Sequence, residues 1–124
     1  MRKSVLIVED SDETRAMLTR MLQGEGYAPI EARNGVEALE KFGQQTPDLI
    51  IMDLNMPHLD GLSTTERIRQ YREKRFGIPI VVITAFDTFG MKEAAFEAGC
   101  NEYLLKPLDI DRLGSILRNH LGYL

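Results

Sequence analysis

Leu49-Ile50-Ile51-Met52-Asp53 is an unbroken apolar run that ends in a carboxylate. Four apolar residues without polar alternation read as a strand covered on both faces, which belongs in a parallel sheet between helices. Two further runs, Val5-Leu6-Ile7-Val8 and Ile80-Val81-Val82-Ile83, have the same character. Weaker runs at Ala28–Ala32 and Glu102–Leu105 complete a set of five. Pro29 has no N–H to donate and places its strand at a sheet edge.

Helical patterns fill the spaces between these runs. Asp12 to Gln23 carries Met17, Leu18, Met21 and Leu22 on one stripe, with Gly24 as its stop. Asn34 and Glu37 have the spacing of a capping box, with Val36, Leu39 and Phe42 as the apolar positions. Leu62 to Arg72 predicts a more polar third helix, and Thr88 to Ala98 a fourth that Gly99 stops. Asp109 caps a fifth, with Ile110, Leu113, Ile116, Leu117 and Leu121 on its buried side. Strand and helix alternate five times with short connections. That order implies right-handed crossovers and an α/β fold: a three-layer, doubly wound (βα)5 parallel sheet with helices on both faces.

Composition narrows the function. The 124 residues are one domain's length, so residues 1–124 are expected to form a single unit without a separate output domain. Hydrophobic residues make up 44% and charged residues 27%, the balance of a folded globular chain. A net charge of −4 argues against nucleic-acid binding across the surface. The longest apolar stretch, Ile78 to Phe86, is broken by Pro79 and Thr84 and is too short to span a bilayer. The apolar run before Glu9 is too short for a secretory signal. Cys100 is the single cysteine, so no internal disulfide forms. The expectation is a cytoplasmic protein with no membrane insertion and no direct nucleic-acid contact.

In a parallel sheet all strands open their C-terminal ends on one edge, where ligands bind at the topological switch. Glu9 and Asp10 follow the first strand, Asp53 closes the third, Thr84 the fourth, and Lys106 follows the fifth. If those four strands are neighbours, the five side chains converge. Adjacent strands lie about 4.8 Å apart, which brings Asp10 and Asp53 within ligand-sharing distance. Singly, each residue has an ordinary explanation: an acid after a strand commonly caps the next helix, and a Lys before Pro is commonly a solvated loop residue. Five such residues at one edge exceed what those explanations cover.

Charge then dictates the chemistry. Two unit charges repel by about 4 kcal/mol at ~4 Å and an effective dielectric near 20. Clustered carboxylates therefore require a cation or displaced pKa values. Oxygen donors without nearby histidine or a second cysteine favour Mg²⁺ (or Mn²⁺) over zinc. Lys106 offers a point charge for an anion and Thr84 a hydroxyl donor. Together they suit phosphoryl transfer, with Asp53 as the nucleophile that forms an acyl-phosphate.

At this point the chain resembles the response-regulator receiver domain, the CheY-like phosphoacceptor module of two-component signalling. The resemblance rests on Val5-Leu6-Ile7-Val8-Glu9-Asp10, on Asp48 to Gly61 (DLIIMDLNMPHLDG), on Val82-Ile83-Thr84-Ala85, and on Ala98 to Pro107 (AGCNEYLLKP). It implies a flavodoxin-like strand order, 2-1-3-4-5. By position it implies Asp53 as phosphoacceptor and Asp10 as direct Mg²⁺ ligand, with Glu9 reaching the metal through water. The backbone carbonyl of Asn55 completes that metal site. Thr84 and Lys106 match the pair that holds the phosphoryl oxygens, Tyr103 the switch aromatic, and Pro107 the proline of a cis Lys-Pro bond. The implied donor is a sensor histidine kinase or a histidine phosphotransfer protein. The implied output is a shifted surface of fourth helix, fifth strand and fifth helix, which would contact a downstream protein, a fused output domain or a second copy. Asn55 and Phe86 match positions that tune phosphoryl lifetime, and the bulk of Phe86 predicts slow loss.

Other readings fit less well. A haloacid-dehalogenase-type phosphatase would carry a general acid two residues after its nucleophile, where this chain has Asn55, and acidic ligands after its lysine. An FMN carrier would lead its first strand into a hydroxyl- and glycine-rich phosphate loop, and Glu9-Asp10 would repel that phosphate. A phosphate-independent interaction module would have lost an acid or the acceptor, and none is lost here. Cys100 reads as a buried small hydrophobe, His58 as a loop residue, and His120 as part of the fifth helix's exposed face. Arg67, Arg69, Arg72, Lys74 and Arg75 read as a solvated helix end whose cations suit the C-terminal dipole.

Overall fold

The computed structural model describes residues 2–71, 77–85 and 87–122. Along the chain come β1 (Ser4–Val8), α1 (Asp12–Gly24), β2 (Ala28–Ala32), α2 (Gly35–Gln44) and β3 (Leu49–Asp53). They are followed by α3 (Gly61–Gln70), β4 (Ile80–Thr84), α4 (Met91–Ala98), β5 (Glu102–Leu105) and α5 (Ile110–Leu121). All strand pairs are parallel, in the order β2-β1-β3-β4-β5. This is the five-stranded α/β sheet that the sequence predicts, with Pro29 on the edge strand.

The unbroken apolar runs fill both faces. Leu6, Val8, Ile50, Met52, Ile80 and Val82 point to one side, where Ala38 and Phe42 of α2, Ile68 of α3 and Ala95 of α4 pack on them. Val5, Ile7, Leu49, Ile51, Val81 and Ile83 point to the other, against Leu18 and Leu22 of α1 and Leu113 and Leu117 of α5. The chain winds one way from β1 to β2 and the other way through β3, β4 and β5. The reversal lies between β1 and β3, so the crevice opens beside the ends of those strands.

Helix ends differ from the sequence reading in physical detail. Gly24 is still helical, and the left-handed residue that ends the turn is Gly26, φ 90°. The Asn34 side chain accepts from the Glu37 N–H at 2.8 Å, but the Glu37 carboxylate accepts from the Arg33 N–H at 3.2 Å, so half the capping box forms. Val36 is half exposed, since Ala38 and Phe42 take the buried face of α2. α4 begins at Met91, not Thr88, because Gly90 is left-handed (φ 81°) and sits inside a turn that the Met91 N–H closes on the Thr88 carbonyl. Asp109 caps α5 as expected, accepting from the Arg112 N–H, while Ile110 is exposed. No described helix is long and apolar enough to cross a membrane.

One close approach fixes the loop after β3. A Cβ on Gly61 would lie 2.2 Å from the Asp53 carbonyl oxygen and 2.7 Å from the Leu54 Cα, both main-chain atoms. The Gly61 N–H also donates to the Leu54 carbonyl at 3.0 Å. Gly43, in α2, has nothing within 4 Å of such a Cβ. Gly61→Ala is therefore expected to destabilise by about 2–3 kcal/mol, and Gly43→Ala to stabilise by up to about 1 kcal/mol. Urea denaturation of the two variants checks this, and coincident midpoints would contradict it.

Candidate functional site

The ends of β1, β3, β4 and β5 bring the expected residues to one edge. Carboxylate oxygens of Glu9, Asp10 and Asp53 all lie within 4.8 Å of one another. Glu9 is fully buried and Asp53 is 2% exposed, whereas Asp10 is exposed. The Lys106 ammonium lies 2.8 Å from Glu9 Oε1 and 3.7 Å from Asp53 Oδ1. β5 delivers that lysine: the Lys106 N–H donates to the Thr84 carbonyl at 2.8 Å, one step beyond the Thr84–Leu105 pair. The Lys106–Pro107 peptide is cis.

Main-chain N–H groups hold both buried carboxylates too. The Ser11 N–H donates to Glu9 Oε2 at 3.0 Å, and the Asn55 N–H to Asp53 Oδ1 at 3.3 Å. Thr84 is fully buried, and its hydroxyl accepts from Asn55 Nδ2 at 3.3 Å. Tyr103 is half-buried, against the core on the α2–α3–α4 face, and its hydroxyl donates to Asp87 Oδ1 at 3.4 Å. Burial and the Asp87 charge push the Tyr103 phenol upward.

Electrostatics follow from this crowding. Burial first, and the Glu9 charge second, push the Asp53 carboxyl from 3.8 up to about 7, against the pull of Lys106. Among the described residues, one ammonium, Lys106, pairs with Glu9 and Asp53, the two buried members of the three carboxylates. Such a donor set is short of positive charge, made of hard oxygen and open on the Asp10 side. It can hold a metal ion, and it suits a divalent cation that keeps part of its water shell.

Sequence reasoning missed three contacts. Asn55 matters through its side chain as well as its main chain, because its amide reaches Thr84. Asp87 is the surface partner of Tyr103. Arg15, near the start of α1, donates to the Glu9 carbonyl at 2.9 Å. A signal for the last was present, since a cation in the first turns of a helix opposes the helix dipole. Arg69 also corrects an expectation: it is not a solvated cation but donates to the Gly99 carbonyl at 2.8 and 3.0 Å and to Asn101 Oδ1 at 3.0 Å. His120 is exposed, as expected, with Nε2 3.1 Å from Glu102 Oε2. Cys100 is buried, and burial pushes its thiol up to about 11. Arg72, Lys74, Arg75 and Phe86 lie outside the described residues. A groove of about 740 Å³ between α2 and α3, lined in part by Leu39, Arg67 and Tyr71, lies apart from the strand ends.

The raised Asp53 carboxyl makes the stability of the fold depend on pH. Between 3.8 and about 7 the folded chain binds a proton that the unfolded chain releases. Stability from this group therefore falls as pH rises across that window, and the full penalty remains above it. Without metal, the stability of Asp53→Asn relative to wild type should grow by about 2–3 kcal/mol from pH 5 to pH 8. Mg²⁺ should shrink the difference. Urea denaturation at both pH values checks this, and a pH-independent difference would contradict it.

Comparison with known proteins agrees with the site. The family model for the response regulator receiver domain matches residues 5–118. The polar-differentiation response regulator DivK of Brucella anthropi is 36% identical over 122 residues, 98% of each chain. The chemotaxis protein CheY4 of Vibrio cholerae superposes with a TM-score of 0.90 at 30% identity, over 98% of this chain and 100% of that one. The receiver domain of the sensor histidine kinase PA1611 from Pseudomonas aeruginosa gives 0.89 at 34% identity, over 98% and 99%. That domain is described with a magnesium ion coordinated in its active-site cleft. The chain, a flavodoxin-like (βα)5 fold with an acidic strand-end cleft, belongs to the response-regulator receiver family of two-component signalling.

Proposed function

We propose that residues 1–124 act as one phosphorylation-switched receiver, which takes a phosphoryl group onto Asp53 from a sensor histidine kinase or a histidine phosphotransfer protein. The observation that carries this reading is the cluster of Glu9, Asp10 and Asp53 around a single ammonium, Lys106. An Asp53 oxygen attacks phosphorus, the bond from phosphorus to the donor's imidazole nitrogen breaks, and the imidazole leaves. Asp10, Asp53 and the Asn55 carbonyl would hold Mg²⁺ or Mn²⁺, with Glu9 bound through water. The ion supplies positive charge shared between these oxygens and the incoming phosphoryl group. The chain is its own catalyst for acceptance and for later hydrolysis, without turnover of a separate substrate.

Lys106 and Thr84 then answer the new charge. A phosphoryl group adds about −1.5 to −2 charge and three acceptor oxygens. Lys106, 2.8 Å from Glu9 in this state, shifts its ammonium toward those oxygens. Thr84 turns to donate to them and leaves the Asn55 amide. The space Thr84 vacates allows Tyr103, on the next strand, to turn inward and give up Asp87. Tyr103 lines a groove of about 380 Å³ with Lys92, Leu105 and Arg112, and Phe96 of α4 and Ile110 of α5 are exposed. That α4–β5–α5 face is the proposed contact for a downstream protein, a fused output domain or a second copy. A small local shift thus becomes a change of surface. The proposed setting is cytoplasmic, with no membrane insertion and no direct nucleic-acid contact.

Incubation with acetyl phosphate and Mg²⁺ tests the reading. Intact mass spectrometry should find a gain of one phosphoryl group on the wild-type chain and none on Asp53→Ala. No gain on the wild type would overturn the proposal, as would an equal gain on the variant.

A further inference from the structure

Arg15 is nearly buried, its side chain 11% exposed, although it stands near the N-terminus of α1, where the helix dipole disfavours a cation. Each of its three guanidinium nitrogens donates a hydrogen bond. Nη1 donates to the Glu9 carbonyl at 2.9 Å, Nε to Glu31 Oε1 at 3.1 Å, and Nη2 to Asp12. One side chain therefore joins the end of β1, the first turn of α1 and the edge strand β2. Asp12 and Glu31 are 87% and 46% exposed, so they orient the fork from the solvent side while its inner nitrogen reads main chain.

The carbonyl that Arg15 holds belongs to the peptide joining Glu9 to Asp10. Glu9 is fixed on every other side: its N–H donates to the Ala32 carbonyl at 3.1 Å, and its carboxylate takes the Ser11 N–H and Lys106. Asp10 has no such burial. The plane of the preceding peptide places the Asp10 main chain and so limits the region its carboxylate can reach. The Asp10 side chain nevertheless meets Asp53, against the like charge of the neighbouring carboxylates.

We propose that Arg15 is a positioning residue for the cation of this receiver. By clamping the Glu9–Asp10 peptide, it holds the Asp10 carboxylate beside Asp53 before any ion arrives. The inference rests on the metal-dependent reading above and extends it to a residue that touches neither metal nor phosphoryl group. Loss of such an orienting partner typically costs 10–100-fold in metal affinity.

The test has a decisive sign. A bare nearby positive charge repels Mg²⁺, so removing it should tighten binding; a lost clamp should weaken it. Mg²⁺ is titrated calorimetrically into the full metal-free chain, with Arg15→Met, Arg15→Lys and Arg118→Met as variants. Arg118 pairs with Glu25 at 2.8 Å on the α1–α5 side and controls for general loss of an arginine pair. Arg15→Met is expected to weaken Mg²⁺ about tenfold or more. Arg15→Lys, with one point donor in place of a fork, should fall between it and wild type, and Arg118→Met should match wild type. Amide NMR of metal-free Arg15→Met should also show the Asp10 resonance shifted. Unchanged or tighter Mg²⁺ binding by a folded Arg15 variant overturns the inference alone. If Arg15→Met does not fold, Arg15→Lys decides in the same way. A wild-type chain that takes up no Mg²⁺ overturns the underlying metal reading, and this inference with it.

Discussion

Three carboxylates share a space in which donor oxygens stand within 4.8 Å of one another, and one ammonium faces them. That imbalance is the constraint on which the rest depends. Two of the acids are buried, so water cannot screen them, and the folded chain must bear the cost. It does so with a core of unbroken apolar strands packed on both faces. The strand ends are then stiff enough to hold like charges together. A site that is short of positive charge favours a cation, and cation and lysine together favour a phosphoryl group.

The supporting contacts follow from the same demand. Gly61 lets the loop after β3 return against the Asp53 carbonyl, where any Cβ would collide with main chain. Ser11 and Asn55 turn N–H groups onto Glu9 and Asp53. Hydrogen bonding between β4 and β5 sets Lys106 opposite both acids. Thr84 lies between the site and the α4–β5–α5 face, tied to Asn55 on one side and three residues from Asp87, the partner of Tyr103, on the other. A charge added at Asp53 is thus felt by a residue whose neighbour lines a surface groove.

Much of this was legible in the chain. The unbroken runs at residues 5–8, 49–52 and 80–83 announced strands covered on both sides, and that fixed the layers. The polar residues after those runs were predictable as neighbours, because a parallel sheet gathers its strand ends. The strand order came from family resemblance, since periodicity alone does not say which strands pair. Helix starts were less legible where the backbone decides: Gly90 is left-handed, so α4 begins three residues late. Capping-box spacing at Asn34 and Glu37 was correct, but the carboxylate found the Arg33 N–H one residue earlier. Long side chains were the hardest to place. Arg15 and Arg69 look like surface cations in sequence, yet each reaches a main-chain carbonyl that only the tertiary fold brings near.

Burial first, and the Glu9 charge second, poise Asp53 between protonated and charged forms. Carboxyl ¹³C NMR of the metal-free protein, followed through a pH titration, measures this directly. Asp53 is expected to titrate near 7, and saturating Mg²⁺ to move its titration well below that value. An Asp53 carboxyl that titrates near 3.8 without metal, and is indifferent to Mg²⁺, would contradict it.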